Sequence, residues 1–132
     1  MNPQRLNDFY MLDMKSLEMT EIENTGYVGG GVRFHSAIPL LPKHILFIGG
    51  KLASGNANRV KLYDVETSKW KDEEAVSQKL GSKLHYFRAV IFPRNNGTTK
   101  ILCIGGHGDF DWTYLEHMVL FNVTNQQEIE IF

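Results

Sequence analysis

Long apolar runs are missing from this 132-residue chain. No stretch approaches the ~18 residues that a membrane-crossing helix needs. The opening "MNPQRLNDFYML" also has no apolar segment of signal-peptide length, so neither a span nor a secretory leader is expected. Cysteine is nearly absent. The single Cys103 cannot form an internal disulfide and lies inside an apolar run, which points to a reducing compartment and a buried, inert thiol. Excess charge is absent too: a net charge of −1 provides no basic field for nucleic acid or an anionic membrane surface. A cytoplasmic protein is the default expectation. What remains, 42% hydrophobic and 22% charged residues, is the balance of a soluble globular chain long enough for one core.

Helical periodicity is scarce. The best segment is "WKDEEAVSQKLGSKLHYF", where Ala75, Val76, Leu80 and Leu84 share a short face, but Gly81 and scattered polar residues predict a loop with one helical turn. Elsewhere the chain reads as short strands between turn clusters: "VRFHSAI", "HILFIGG", "RVKLYDV", "HYFRAVIF", "KILCIGG" and "HMVLFNV". The runs "ILFI" and "ILCI" are continuously apolar, as strands are when both faces are covered. The expected class is all-β.

The stretch "KHILFIGGK" (Lys43 to Lys51) returns as "TKILCIGGHG", so a repeat is sought before any site. Setting Tyr63 on Phe121 places Asp64 on Asn122, Thr67 on Asn125 and Trp70 on Glu128. A partial third copy, "DFYMLDMKSLEM", sets Leu12 with Tyr63, Asp13 with Asp64 and Met19 with Trp70. The spacings from Leu12 to Tyr63 and from Tyr63 to Phe121 are 51 and 58 residues. Upstream, "HSAIPLLPKHILFIGG" matches "FRAVIFPRNNGTTKILCIGG", whose extra length falls in an Asn-Gly hairpin signal. The unit is therefore strand, turn, strand ending in Gly-Gly, loop, strand with an aromatic, tight turn, strand.

This pattern resembles the kelch repeat, which forms one four-stranded antiparallel blade of a β-propeller. The resemblance rests on Gly49-Gly50 and Gly105-Gly106 after isoleucine, and on "VKLYDVETSKW", with Tyr63 and Trp70 seven apart. "RFHSA" is similar to the Arg…His-Ser of the family's first blade strand, one residue short. Phe121 and Glu128 replace the tyrosine and tryptophan in the last copy. The implied organisation is a single kelch region over 1–132: the last two strands of a partial blade at 1–20, full blades at 33–72 and 84–132, and inter-blade loops at 21–32 and 73–83. Gly49, Gly50, Tyr63, Trp70, Gly105, Gly106 and Phe121 are its structural residues. Diglycine permits positive φ and close backbone approach, and the two rings bury large area between sheets while their polar tips find partners.

Propellers close with 4–8 blades, so two and a half blades make an incomplete propeller. Three outcomes follow: a fragment of a longer propeller, which the abrupt "EIEIF" favours; self-association that supplies the missing blades; or an unstable remnant.

Chemistry is harder to find. "GGHGDFDW" and "YVGGGV" are glycine-rich, yet neither opens a helix or carries the lysine and hydroxyl of a phosphate loop. His107, Asp109, Asp111 and His117 do not fall at a known metal spacing. His35 and Ser36 are adjacent on a strand and point to opposite faces, so they make no triad. "KWKDEE" reads as a solvated charge cluster, and the two Asn-x-Thr matches are accidental without a secretory signal. No cofactor, metal or catalytic residue is expected.

Topology places recognition instead. Loops between strands two and three emerge on the same side as inter-blade loops: Lys51 to Asn58, His107 to Glu116, Glu21 to Val32 and Lys71 to Lys83. They hold Asn56, Arg59, His107, Asp109, Phe110, Asp111 and Trp112, charged and aromatic residues of the kind that bind proteins, unless the rings pack on their own blade. The expectation is a non-enzymatic kelch-type scaffold for a protein partner. The alternative is a fragment of a kelch-like enzyme, of the galactose oxidase or sialic-acid mutarotase type. The first would need a copper site and a reactive cysteine, the second inward charges from every blade.

Overall fold

The computed structural model describes residues 8–23, 31–52, 55–56, 59–80, 86–95, 98–106, 118–124 and 128–131. Within them the chain is mostly strand, arranged as several small antiparallel sheets. An N-terminal hairpin pairs β1 (Tyr10–Leu12) with β2 (Met19–Glu21). The middle sheet contains β3 (Ser36–Leu40), β4 (His44–Ile48), β7 (Val60–Asp64) and β8 (Lys69–Asp72), in that spatial order. Between β4 and β7 the chain makes a two-residue ladder, β5 (Lys51–Leu52) with β6 (Gly55–Asn56). The C-terminal sheet runs β9 (Arg88–Asn95), β10 (Thr98–Ile104), β11 (Met118–Thr124), β12 (Glu128–Ile131), with each strand beside its sequence neighbour.

Proline positions agree with this order. Pro39 lies in β3 and Pro93 in β9, and these are edge strands of their sheets, where a missing N–H costs no ladder bond on the open side.

The internal repeat is visible in the registers. Ile45 pairs with Tyr63 in the middle sheet as Ile101 pairs with Phe121 in the C-terminal one. Tyr63 pairs with Trp70, and Leu12 pairs with Met19 in the N-terminal hairpin. The turns that follow use the same chemistry. Asp13 Oδ1 accepts from the N–H groups of Lys15 and Ser16 (2.7 and 2.9 Å), and Asp64 Oδ1 accepts from Glu66 and Thr67 (both 2.9 Å). Leu17 and Ser68 then take φ of 58° and 55°. Backbone donation, from Ser16 foremost at Asp13 and from Thr67 foremost at Asp64, holds both carboxyls below their ordinary 3.8.

The last hairpin departs from the expected alignment. Phe121 pairs with Ile131, so Trp70's counterpart by register is Ile131 and not Glu128. Asn122 stands where the others have the turn-forming aspartate, and the strands continue to Thr124 and Glu128 before turning. The expected strands "VRFHSAI" and "HYFRAVIF" also begin late, at Ser36 and Arg88, because Phe34 and Tyr86 adopt φ of 62° and 60°.

A second departure concerns the connection at 73–83. It contains α1 (Glu74–Leu80), two turns where one was expected. Ser77 explains its placement: its backbone N–H and its hydroxyl both donate to the Glu73 carbonyl (2.8 Å each), while the hydroxyl accepts from Val60 N–H at 2.8 Å. The helix is thereby hooked onto β7, with Val76 buried in the core and Ala75 exposed.

Apolar contact holds the sheets together. One contiguous cluster joins Ile38, Leu40, Leu46, Ile48, Val60 and Leu62 of the middle sheet with Ile101, Cys103, Val123 and Ile129 of the C-terminal sheet; Val76 and Phe87 complete it. The middle sheet's opposite face carries Phe47, Tyr63 and Trp70, and Phe9, just before β1, packs on all three with ring centroids at 6.3, 5.0 and 5.7 Å. Beside these rings the buried Lys61 ammonium lies 2.8 Å from Asp72 Oδ1 across the strand pair. The middle sheet is therefore covered on both sides. "ILFI" reflects that: Leu46 and Ile48 are fully buried, Ile45 and Phe47 half-buried. "ILCI" does so on one side only, since Ile101 and Cys103 are buried and Ile104 is exposed.

The expected partner for each ring's polar tip is not found at Tyr63. Its hydroxyl is buried with no hydrogen-bond partner among the described residues. A buried, unpaired hydroxyl costs about 1–3 kcal/mol. Tyr63→Phe, which copies Phe121 of the other repeat, should leave urea stability unchanged or raise it by up to about 2 kcal/mol. A loss larger than about 1 kcal/mol would show that the hydroxyl is bonded after all.

Candidate functional site

The two ends of the sheet stack differ in chemistry. At one end lie the polar turns after β3, β1 and β7. There the buried His44 imidazole sits 3.6 Å from Asp64 Oδ2 and Lys43 lies 3.6 Å from Glu66, an exposed pair of little energetic weight. At the other end the first strand of each sheet begins, β4 and β10 terminate in diglycine, and β5–β6 and α1 depart. This second end concentrates unusual backbone and exposed rings.

Gly49, Gly50, Gly105 and Gly106 all hold positive φ, at 64°, 107°, 77° and 122°. Gly50 is the position where close approach matters. A Cβ there would run into Val32 Cγ1 and stand 3.1 Å from His35 Cβ and 3.2 Å from the Arg33 carbonyl oxygen. The segment it admits is held by exchange of backbone bonds between Arg33 and Lys51 (3.2 and 2.8 Å), and Gly49 N–H donates to the Arg59 carbonyl at 2.9 Å. Lys51 in turn pairs with Asn56. The end of β4 therefore draws the Arg33 segment, Asn56 and the Arg59 backbone into one patch.

Two aromatic residues stand on it. Phe34 and Tyr86 each stand two residues before the first strand of a sheet and stack face to face, with ring centroids 3.8 Å apart and planes at 25°. They remain 39% and 50% exposed. The Arg33 guanidinium lies 5.0 Å above the Phe34 ring, and Tyr86 N–H donates to the Phe34 carbonyl at 3.3 Å. Aromatic residues seldom accept φ near +60°, a conformation that costs about 1–3 kcal/mol. Both repeats accept that cost at the same place, and the result is an exposed ring pair bridging two sheets. Next to it, His35 tilts onto Phe47 at 5.8 Å, and partial desolvation of its ring pulls its pKa below 6.5 against a weaker opposing backbone bond to Val32.

Of the residues expected at a binding face, Asn56 and Arg59 lie on this patch. His107, Asp109, Phe110, Asp111 and Trp112 fall outside the described residues, as does the rest of the loop after Gly106. Phe34 and Tyr86 were not among the expected residues. Their signal was an aromatic four positions before Ile38 and four before Val90, read as part of a strand. Elsewhere, Cys103 is buried between the sheets, and burial pushes its thiol up to about 12, which removes the thiolate a reactive cysteine requires. Among the described residues no three His, Cys, Asp or Glu side chains come together as a metal set, and no helix is long and apolar enough to cross a membrane.

No family model matches the chain, and no curated protein does.

The two glycine sites give a graded test. Gly50→Ala adds a steric clash to an unfavourable φ and should cost about 2–4 kcal/mol in urea unfolding. A Cβ at Gly105 meets nothing within 4 Å, so Gly105→Ala should cost only the backbone strain, about 1–2 kcal/mol. Equal costs would show that the Arg33 segment does not press on Gly50.

Proposed function

We propose that this chain is a run of kelch-type propeller blades that acts as a non-enzymatic scaffold, gripping a protein partner with the end that carries Arg33, Phe34 and Tyr86. The supporting observation is the exposed Phe34–Tyr86 stack under an arginine, held just ahead of β3 and β9 by backbone at positive φ. Aromatics and arginine are the side chains that carry most binding energy at protein interfaces. Rings already stacked lose little freedom when a partner covers them. Lys51 exchanges backbone bonds with Arg33 and pairs with Asn56, so polar residues border the segment that carries Phe34, as at the rim of an interface. The kelch reading is supported by two four-stranded meanders with matching registers, the diglycine strand ends and the repeated aspartate turns. A net charge of −1 favours a protein over nucleic acid as the partner, and the lone buried cysteine favours a cytoplasmic setting.

The test is quantitative affinity purification with three baits of equal thermal stability: wild type, Phe34→Ala/Tyr86→Ala, and Lys69→Ala at the opposite end. The double variant should lose at least tenfold in recovery of the proteins that wild type and Lys69→Ala both retain, in line with about 2 kcal/mol per hot spot. Equal recovery by a folded double variant would remove this end of the stack from the binding role.

A further inference from the structure

Stacking in this chain has a direction. The N-terminal hairpin sets Phe9 on the Phe47, Tyr63 and Trp70 face of the middle sheet, and the middle sheet sets its other face on Ile101 and Cys103 of the C-terminal sheet. Each contact joins unlike faces, and each repeats the step before it. Ile101 and Phe121 in the C-terminal sheet hold the register positions of Ile45 and Tyr63, so its covered face corresponds to the middle sheet's Tyr63 face.

Its other face must then correspond to the middle sheet's core face, and the residues bear this out. Val90 pairs with Leu102 as Ile38 pairs with Leu46; Phe92 follows two residues on, as Leu40 does; and Ile104 precedes its diglycine as Ile48 does. Ile38, Leu40 and Ile48 are 3%, 3% and 0% exposed, while Val90, Phe92 and Ile104 are 46%, 44% and 46% exposed. The same apolar design is covered in one sheet and bare in the next.

The opposite end is bare in the complementary sense. Leu12 and Met19 pair across the N-terminal hairpin as Tyr63 and Trp70 do, and both are at least half exposed. Alternation puts them on the side away from Phe9 and Met11. Charge leans the same way: Glu21, paired with Tyr10, lies on the hairpin's bare side, whereas Arg88 and Lys100 outnumber Glu130 at the positions of the C-terminal sheet's bare side.

We propose that the protein self-associates head to tail, the Val90–Phe92–Ile104 face of one copy receiving the Leu12–Met19 face of another copy's N-terminal hairpin. The occupant is a second copy because this chain carries both halves of a contact it already makes twice internally, one half bare at each end. Joining unlike faces makes the contact heterologous, so it extends into a ring or a chain of copies and is not limited to a symmetric pair. It is independent of the Phe34–Tyr86 patch.

Sedimentation velocity of the full chain over a hundredfold concentration range tests this with two variants, Val90→Asp/Ile104→Asp and Leu12→Asp/Met19→Asp. All four positions are exposed, and circular dichroism checks that each variant folds; if one does not, Ile104→Ser or Met19→Ser replaces it. Wild type should gain mass with concentration. Each blocked variant alone should stay at monomer mass, and a mixture of the two should form a one-to-one pair through the face each retains. The proposal is overturned by wild type that stays monomeric throughout, by a blocked variant that still associates with itself, or by a mixture that does not pair.

Discussion

Leu46 and Ile48 on the middle sheet and Ile101 and Cys103 on the C-terminal sheet belong to one apolar cluster, and the mutual placement of the two four-stranded sheets and α1 depends on it. A four-stranded sheet built from runs such as "ILFI" has two faces to take out of water. One neighbouring sheet covers only one of them. Removing a buried leucine from such a contact costs about 2–5 kcal/mol, a large share of the 5–15 kcal/mol that holds an ordinary domain folded. The stack is therefore strongly fixed in the middle, where both faces are covered, and has free apolar area where it stops.

Geometry at the strand ends follows from that packing. Sheets brought face to face also bring the starts of β3 and β9 close together, and the chain must turn sharply to enter each one. Positive φ at Phe34 and Tyr86, and the lack of a Cβ at Gly50, solve that turn. The same solution leaves two rings stacked at the surface beside Arg33. Recognition chemistry is thus assembled from backbone constraints, with no catalytic side chain required for it.

Parts of this were readable in the sequence because they depend on local spelling. Repeated Ile-Gly-Gly strand ends and the seven-residue spacing of Tyr63 and Trp70 are local patterns, and the registers Ile45–Tyr63, Ile101–Phe121 and Tyr63–Trp70 agree with them. Other parts depended on contacts distant in sequence. α1 gains its second turn from Ser77 bridging Glu73 and Val60, which no periodicity in "DEEAVSQKL" announces. The Phe34–Tyr86 stack needs two residues 52 apart to meet at an aromatic φ that propensity disfavours. The extended last hairpin has Asn122 where the others have aspartate, and its altered register shows nine residues on, at Ile131.

Cys103 offers a direct probe of the central contact, because it is the chain's one thiol and lies within the cluster. Its alkylation should be slow in the native protein and should accelerate with urea in parallel with global unfolding. Truncating the opposite side with Leu46→Ala should accelerate it by at least about thirtyfold, the equivalent of about 2 kcal/mol. Prompt native labelling, or a rate indifferent to Leu46→Ala, would contradict a structure held together by apolar sheet faces covering one another.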